Sequence, residues 1–96
     1  MTCAIKIWGA QMARGTMTTP ETGRYLRDFD VGAHNGRVDD FPIPTTDKIE
    51  EARHFANAGE ALTFWQTQSR VRPLRPDGDP NRPLTAFTVE VVQCPT

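Results

Sequence analysis

The stretch Leu84–Cys94, "LTAFTVEVVQC", carries the strongest strand signal in the chain. It is rich in β-branched residues and alternates Phe87, Val89 and Val91 against Leu84, Ala86, Thr88, Glu90 and Val92, the period-two spacing of a pleated strand. Because both sets of positions hold apolar residues, the pattern predicts a central strand covered on one face by a helix.

The natural neighbour of this strand is the opening stretch "TCAIKIWG", residues 2–9, where Cys3, Ile5 and Ile7 alternate with Ala4, Lys6 and Trp8. Antiparallel pairing of the first and last strands would bring Cys3 and Cys94 toward each other, and a bridge would then depend on the geometry of their Cβ atoms. Two free thiols in a reducing compartment are the expectation. The two cysteines stand at opposite ends of the chain and do not form a C-x-x-C metal pair.

Between these strands the signals are weaker. "AQMARGTMTTPETG", residues 10–23, shows neither period and predicts a loop. "RYLRDFDV", residues 24–31, predicts a second strand with Tyr25, Phe29 and Val31 on one face, Arg27 interrupting it, and Leu26, Asp28 and Asp30 on the other. Asn35-Gly36 has the composition of a tight hairpin turn, but Pro42 and Pro44 restrict any return strand to a short edge. Asp47, with Glu50 three residues later, predicts a capped helix carrying Ile49, Ala52 and Ala56; Asn57 with Glu60 repeats the signal before Ala61, Leu62, Phe64 and Trp65. A competing reading makes Ala52–Phe55 a brief strand ahead of one helix from Asn57 to about Arg70. Two helical pieces are preferred. The fold class is α+β: one small domain over residues 1–96, with an antiparallel sheet of three or four strands and one or two helices packed on one face.

A chain of 96 residues holds one modest core, burying roughly 60–65% of its unfolded surface. No run approaches the ~20 apolar residues of a membrane span, and the first residues lack a basic start followed by an apolar stretch. A cytoplasmic protein without membrane contact is expected. The formal net charge is −1, which argues against a general polyanion binder. Its distribution is uneven: residues 28–60 hold eight acids against three bases, whereas residues 70–83 hold Arg70, Arg72, Arg75 and Arg82 against Asp77 and Asp79. An acidic middle and a basic late loop can attract each other or present a polarised surface to a partner.

Catalytic and metal signatures are weak. The histidines are His34, in the predicted Asn-Gly turn where exposed polar residues are ordinary, and His54, which on a helix would lie four residues from Glu50 and bond it there. "DGDPNR" places Asp77, Asp79 and Asn81 at the first, third and fifth positions of a calcium loop, but Arg82 stands where glycine is needed and Thr88 where the bidentate glutamate is needed. Turn chemistry explains the segment better: Pro76 presets its φ, Asp77 bonds the backbone ahead and Gly78 takes a positive φ. The glycines form no phosphate-binding pattern, and no cofactor is expected. Arg70-x-x-Pro73-x-x-Pro76 matches a proline-rich ligand, yet a segment tethered at both ends is poorly placed to dock as one.

Three pieces, "YLRDFD", the spacing Asp47-x4-Ala52-x2-Phe55-x4-Glu60-Ala61, and "RPLRPDGDPNRPLTAFTVEV", together resemble short bacterial proteins, some of them phage-derived, that have no assigned activity. The resemblance covers the chain from Tyr25 onward, implies a compact bacterial domain, and carries over no site residue.

The expected function is that of a small non-catalytic binding or interaction module with a protein partner, using Arg70, Arg72, Arg75 and Arg82 in the Arg/Pro-rich connector over residues 70–83. The first alternative is a nucleic-acid accessory protein in which these arginines grip phosphate while Phe64, Trp65 and Phe87 stack on bases. The second is a small enzyme built on His54 and nearby carboxylates. The bland role of the connector is structural, a stiff link from the helix into the last strand.

Overall fold

A computed structural model describes residues 2–94 and shows a small α+β domain with an antiparallel sheet and one α-helix. Its spine is β1 (Cys3–Met12). The remaining strands are β2 (Gly15–Met17), β3 (Tyr25–Leu26), β4 (Thr45–Thr46) and β5 (Phe87–Gln93), and the helix is α1 (Ala58–Trp65). Lys6 faces both Tyr25 and Glu90, and Ala10 faces both Met17 and Phe87. Strand β5 therefore runs along one edge of β1, while β3 and β2 follow one another along the opposite edge; β4 adds to β3 through Tyr25↔Thr46 and Leu26↔Thr45.

The last strand is thus not the central one. β5 pairs only with β1 among the described strands, whereas β1 carries β5 along one edge and both β2 and β3 along the other. Apolar residues on both faces of β5 reflect a core side of Phe87, Val89 and Val91 and a second side where Val92 remains half-buried. The expected antiparallel pairing of first and last strands holds. It places Cys3 opposite Gln93, and because side chains alternate, Cys94 falls on the other face of the sheet. Both thiols are free.

Residues 10–23 are not simply a loop. β1 continues to Met12 and turns back through Ala13 and Arg14 into β2, whose three residues are all exposed. With no core face to mark, β2 has no hydrophobic period for the sequence to display. On its other edge, against β5, β1 carries a bulge: Ile7 pairs with Val89 and Gly9 with Thr88, leaving Trp8 as the extra residue. Gly9 has φ +145°, and a Cβ there would lie 2.5 Å from the Met17 carbonyl oxygen and 2.6 Å from Thr16 Cγ2. Only glycine lets β2 lie this close.

The predicted second strand over residues 24–31 shrinks to Tyr25–Leu26. After Arg27 bonds the Pro44 carbonyl, Val31–Ala33 coils into a 3-10 turn beneath which Val31 is buried. The Asn35-Gly36 hairpin does not form. Gly36 has φ +76°, but Asn35 keeps a negative φ, and its Oδ1 accepts from Arg37 N at 2.7 Å, closing an Asx turn that leads into a second 3-10 turn, Val38–Asp40.

The preferred first helix is also replaced. Ile49–Glu51 makes one 3-10 turn, uncapped by Asp47; Thr46 Oγ1 instead accepts from Lys48 N and donates to Glu51 Oε2. Arg53 N then bonds the Leu26 carbonyl, and Phe55 exchanges two backbone bonds of 2.8 Å with Cys3. The competing reading of a brief extended segment before a single helix describes this region. Asn57 caps α1 as expected, its Oδ1 accepting from Glu60 N at 2.9 Å, while Glu60 Oε2 reaches back to Ala56 N at 3.0 Å. α1 stops at Trp65 rather than near Arg70. Beyond it the N–H groups of Ser69 and Arg70 pair with the carbonyls of Asn81 and Gly32, so the chain is drawn out of the helical path by distant acceptors.

The core lies between the sheet and the α1 side of the molecule: Ile5, Ile7, Leu26, Val31, Ile43, Phe55, Ala61, Leu84 and Phe87, with Phe29, Phe41, Phe64 and Trp65 packed against it. Aromatic edges knit it together, with ring centroids at 6.2 Å for Phe29–Phe64, 5.3 Å for Phe55–Phe64 and 5.5 Å for Phe41–Phe87. No helix among the described residues is long and apolar enough to cross a membrane.

Candidate functional site

Residues 70–83 fold as a small two-legged hairpin. Leu74 and Pro80 form an antiparallel bridge, Arg75 N donates to Asp79 O at 2.8 Å, and Asn81 N to Pro73 O at 2.8 Å. The tip is the turn that its composition predicts. Gly78 N bonds Arg75 O at 3.0 Å across Pro76 and Asp77, Asp77 Oδ1 accepts from Asp79 N at 3.0 Å, and Gly78 takes φ +89°.

The base of the hairpin is pinned by two buried polar side chains that no local pattern announces. Asn81, 5% exposed, donates through Nδ2 to the carbonyls of Asn35 and Arg72, both at 2.8 Å, and its own carbonyl accepts from Ser69 N at 2.8 Å. Ser69, 2% exposed, accepts from Arg72 N through Oγ at 3.0 Å, and Gln68 Nε2 donates to Pro73 O at 2.7 Å. Buried polar groups satisfied in this way hold a loop in one arrangement.

The four arginines separate into two groups. Arg70 is committed internally: Nη1 and Nη2 donate to the two oxygens of Asp30 at 2.9 and 2.6 Å, and its N–H bonds the Gly32 carbonyl. This fork-on-carboxylate geometry holds the Asp30 carboxyl below the ordinary aspartate value, chiefly through the Arg70 hydrogen bonds, and raises Arg70 in turn. It also joins the acidic middle of the chain to the basic late segment. Arg72, Arg75 and Arg82 form no salt bridge among the described residues; Arg72 is half-buried, and Arg75 and Arg82 are exposed. Between them the hairpin exposes Val71 and Leu74, at 62% and 55%. These two apolar residues belong to the site and were open to sequence reasoning, since they stand alone among prolines and arginines.

The groups offered for other functions lie elsewhere. Phe87 is buried, and Phe64 and Trp65 are partly buried against the core. His54 is not on a helix; its exposed ring bonds the Ile49 carbonyl through Nε2 at 2.9 Å instead of reaching Glu50. His34 is not exposed but 6% accessible, with its ring 4.5 Å from that of Phe41. Its Nδ1 accepts from Gly36 N at 2.9 Å, so in the neutral ring the proton sits on Nε2. Among the described residues no group of three His, Cys, Asp or Glu side chains is placed to hold a metal ion.

Neither a family model, nor a curated protein, nor a solved structure matches this chain.

Proposed function

We propose that this protein is a non-catalytic interaction module that docks on a protein partner through the 70–83 hairpin. One observation carries the reading: a hairpin fixed at its base by buried Asn81 and Ser69 exposes Val71 and Leu74 beside the guanidinium groups of Arg72, Arg75 and Arg82, which form no salt bridge among the described residues. An apolar patch within a polar rim is the anatomy of a protein interface, and arginine is among the residues enriched at binding hot spots. Internal pinning lowers the ordering cost of association. The complementary partner surface is an apolar depression with an acidic rim. Arg70 takes a positioning role, tying the hairpin to the 3-10 turn at Val31–Ala33 through Asp30.

The nucleic-acid alternative has the same arginines in its favour, but the aromatic rings it would stack on bases are engaged in the core. Affinity capture from the native host, with wild type beside an Arg72→Ala/Arg75→Ala/Arg82→Ala variant, tests the reading. A protein retained by the wild type and lost with the variant, with coincident thermal melts, is the expected result. Identical captures would return the hairpin to a purely structural role. A mobility shift with oligonucleotides that disappears between low and moderate salt would favour the alternative.

A further inference from the structure

A second site is lined by none of the residues of the 70–83 hairpin. A cleft of about 470 Å³ opens where the β1–β2 hairpin leaves the sheet, lined by the cross-strand partners Ala10 and Phe87 together with Met17, Pro20, Phe41 and Pro42. This volume is within the range of about 300–1,000 Å³ typical of small-molecule sites, and the lining is of the apolar kind such sites use. Into this wall the fold sets one carboxylate, Glu21, whose residue is only 3% exposed.

Glu21 is held there by its backbone. Thr19 and Thr22 close a turn around it, with Thr19 N donating to Thr22 Oγ1 at 2.8 Å and Thr22 N to Thr19 O at 3.0 Å; Gly23 N then bonds the Ile7 carbonyl at 2.7 Å, tying the turn to β1. No side-chain hydrogen bond or salt bridge to a described residue satisfies the Glu21 carboxylate. The nearest base in sequence, Arg24, turns away: Nε donates to Thr45 Oγ1 at 2.9 Å and Nη2 to the Thr45 carbonyl at 3.2 Å. The Glu21 oxygens are not among the buried polar atoms left without a partner, so the carboxylate meets water at the cleft, and a ligand cation there would exchange that water for an ion pair in apolar surroundings.

We infer that this cleft binds a small apolar ammonium compound, its hydrocarbon or aryl body against Phe41, Phe87 and Met17 and its ammonium group on the Glu21 carboxylate. The chemistry of the wall selects the class. A neutral apolar molecule leaves Glu21 unpaired, and a strongly hydrated cation without an apolar body leaves the cleft unfilled.

The test is a titration of phenethylammonium into the full-length protein, followed by NMR shifts of the Phe41, Phe87 and Met17 signals, beside 2-phenylethanol as the neutral analogue of matching shape. The expected result is saturable binding of the amine on the order of tenfold tighter than the alcohol, a preference that Glu21→Gln abolishes. Ala86→Leu, which adds carbon at the rim of the cleft, should weaken both compounds. Absence of saturable shifts at the cleft, or equal affinity of the wild type for amine and alcohol, would overturn the inference. So would undiminished amine binding by a Glu21→Gln protein whose circular dichroism matches the wild type. Should Glu21→Gln fail to fold, the amine-against-alcohol comparison on the wild type decides alone.

Discussion

Replacing Asn81 by alanine removes the two amide protons that fasten the 70–83 hairpin to the rest of the molecule. The carbonyls of Asn35 and Arg72 lose their donors, both now at 2.8 Å, in half-buried surroundings. Leaving one buried polar group unpaired costs about 1–3 kcal/mol, and half-buried carbonyls that recover some water belong at the low end of that range, about 1 kcal/mol each. Loss of packing around a residue 5% exposed adds to this, for a total of about 2–3 kcal/mol. In a domain of this size such a loss lowers Tm by roughly 8–24 °C. Urea unfolding followed by far-UV circular dichroism and by the fluorescence of Trp8 and Trp65 measures it. Asn81→Asp separates the hydrogen bonds from packing: it keeps the volume but turns a carboxylate oxygen toward the two carbonyls, and should destabilise at least as much as alanine. A loss under about 0.5 kcal/mol for Asn81→Ala, or an Asn81→Asp protein as stable as the wild type, would refute the assignment of Asn81 as the pin.

Gly9→Ala combines a forced φ of +145° with a Cβ 2.5 Å from the Met17 carbonyl and should cost about 1–3 kcal/mol, whereas Gly15→Ala, with φ +130° and open space around its Cβ, should cost less; equal losses in a denaturant titration would refute the close-approach argument. The Asp30 carboxyl sits below its ordinary value in the folded protein, so the folded state binds fewer protons than the unfolded chain, and the Asp30–Arg70 pair contributes stability that is complete above about pH 4 and lost as pH falls through the depressed value. Asp30→Asn should flatten the acid limb of a Tm-against-pH profile in that window, and half-molar salt should shrink the wild-type effect because both side chains are exposed; superimposable profiles would argue against it. After mild oxidation of the folded protein, Cys3 and Cys94 should both titrate with a thiol reagent once the chain is unfolded in denaturant, since Cys94 is buried in the fold, and an intramolecular disulfide seen by mass would contradict the sheet register.

What was legible in the sequence is what a few neighbouring residues decide among themselves. Alternation in "TCAIKIWG" and "AFTVEVVQC" identifies two strands because successive side chains must take opposite faces. Asn57 with Glu60 marks the start of α1 because the orphan N–H groups of a helix end need acceptors within one turn. Pro76-Asp77-Gly78 specifies its own turn. Where the pattern was thin, the local reading failed. Arg24–Val31 alternates, but only Tyr25 and Leu26 find a ladder partner; Asp47 offers a cap that Thr46 supplants.

By itself, then, the sequence determined an α+β chain with antiparallel first and last strands, a capped helix, and a turned, arginine-bearing segment between helix and last strand. Tertiary structure alone decided that β1 and not β5 is the centre of the sheet, that Arg70 is spent on Asp30 while Arg72, Arg75 and Arg82 form no salt bridge among the described residues, that Asn81 is the pin, and that Glu21 lies in the wall of an apolar cleft. Each of these depends on partners far apart in the chain, as Asn81 is from Asn35 and Arg70 from Asp30, and no interaction within a turn or a strand records which distant groups folding will bring within hydrogen-bond reach.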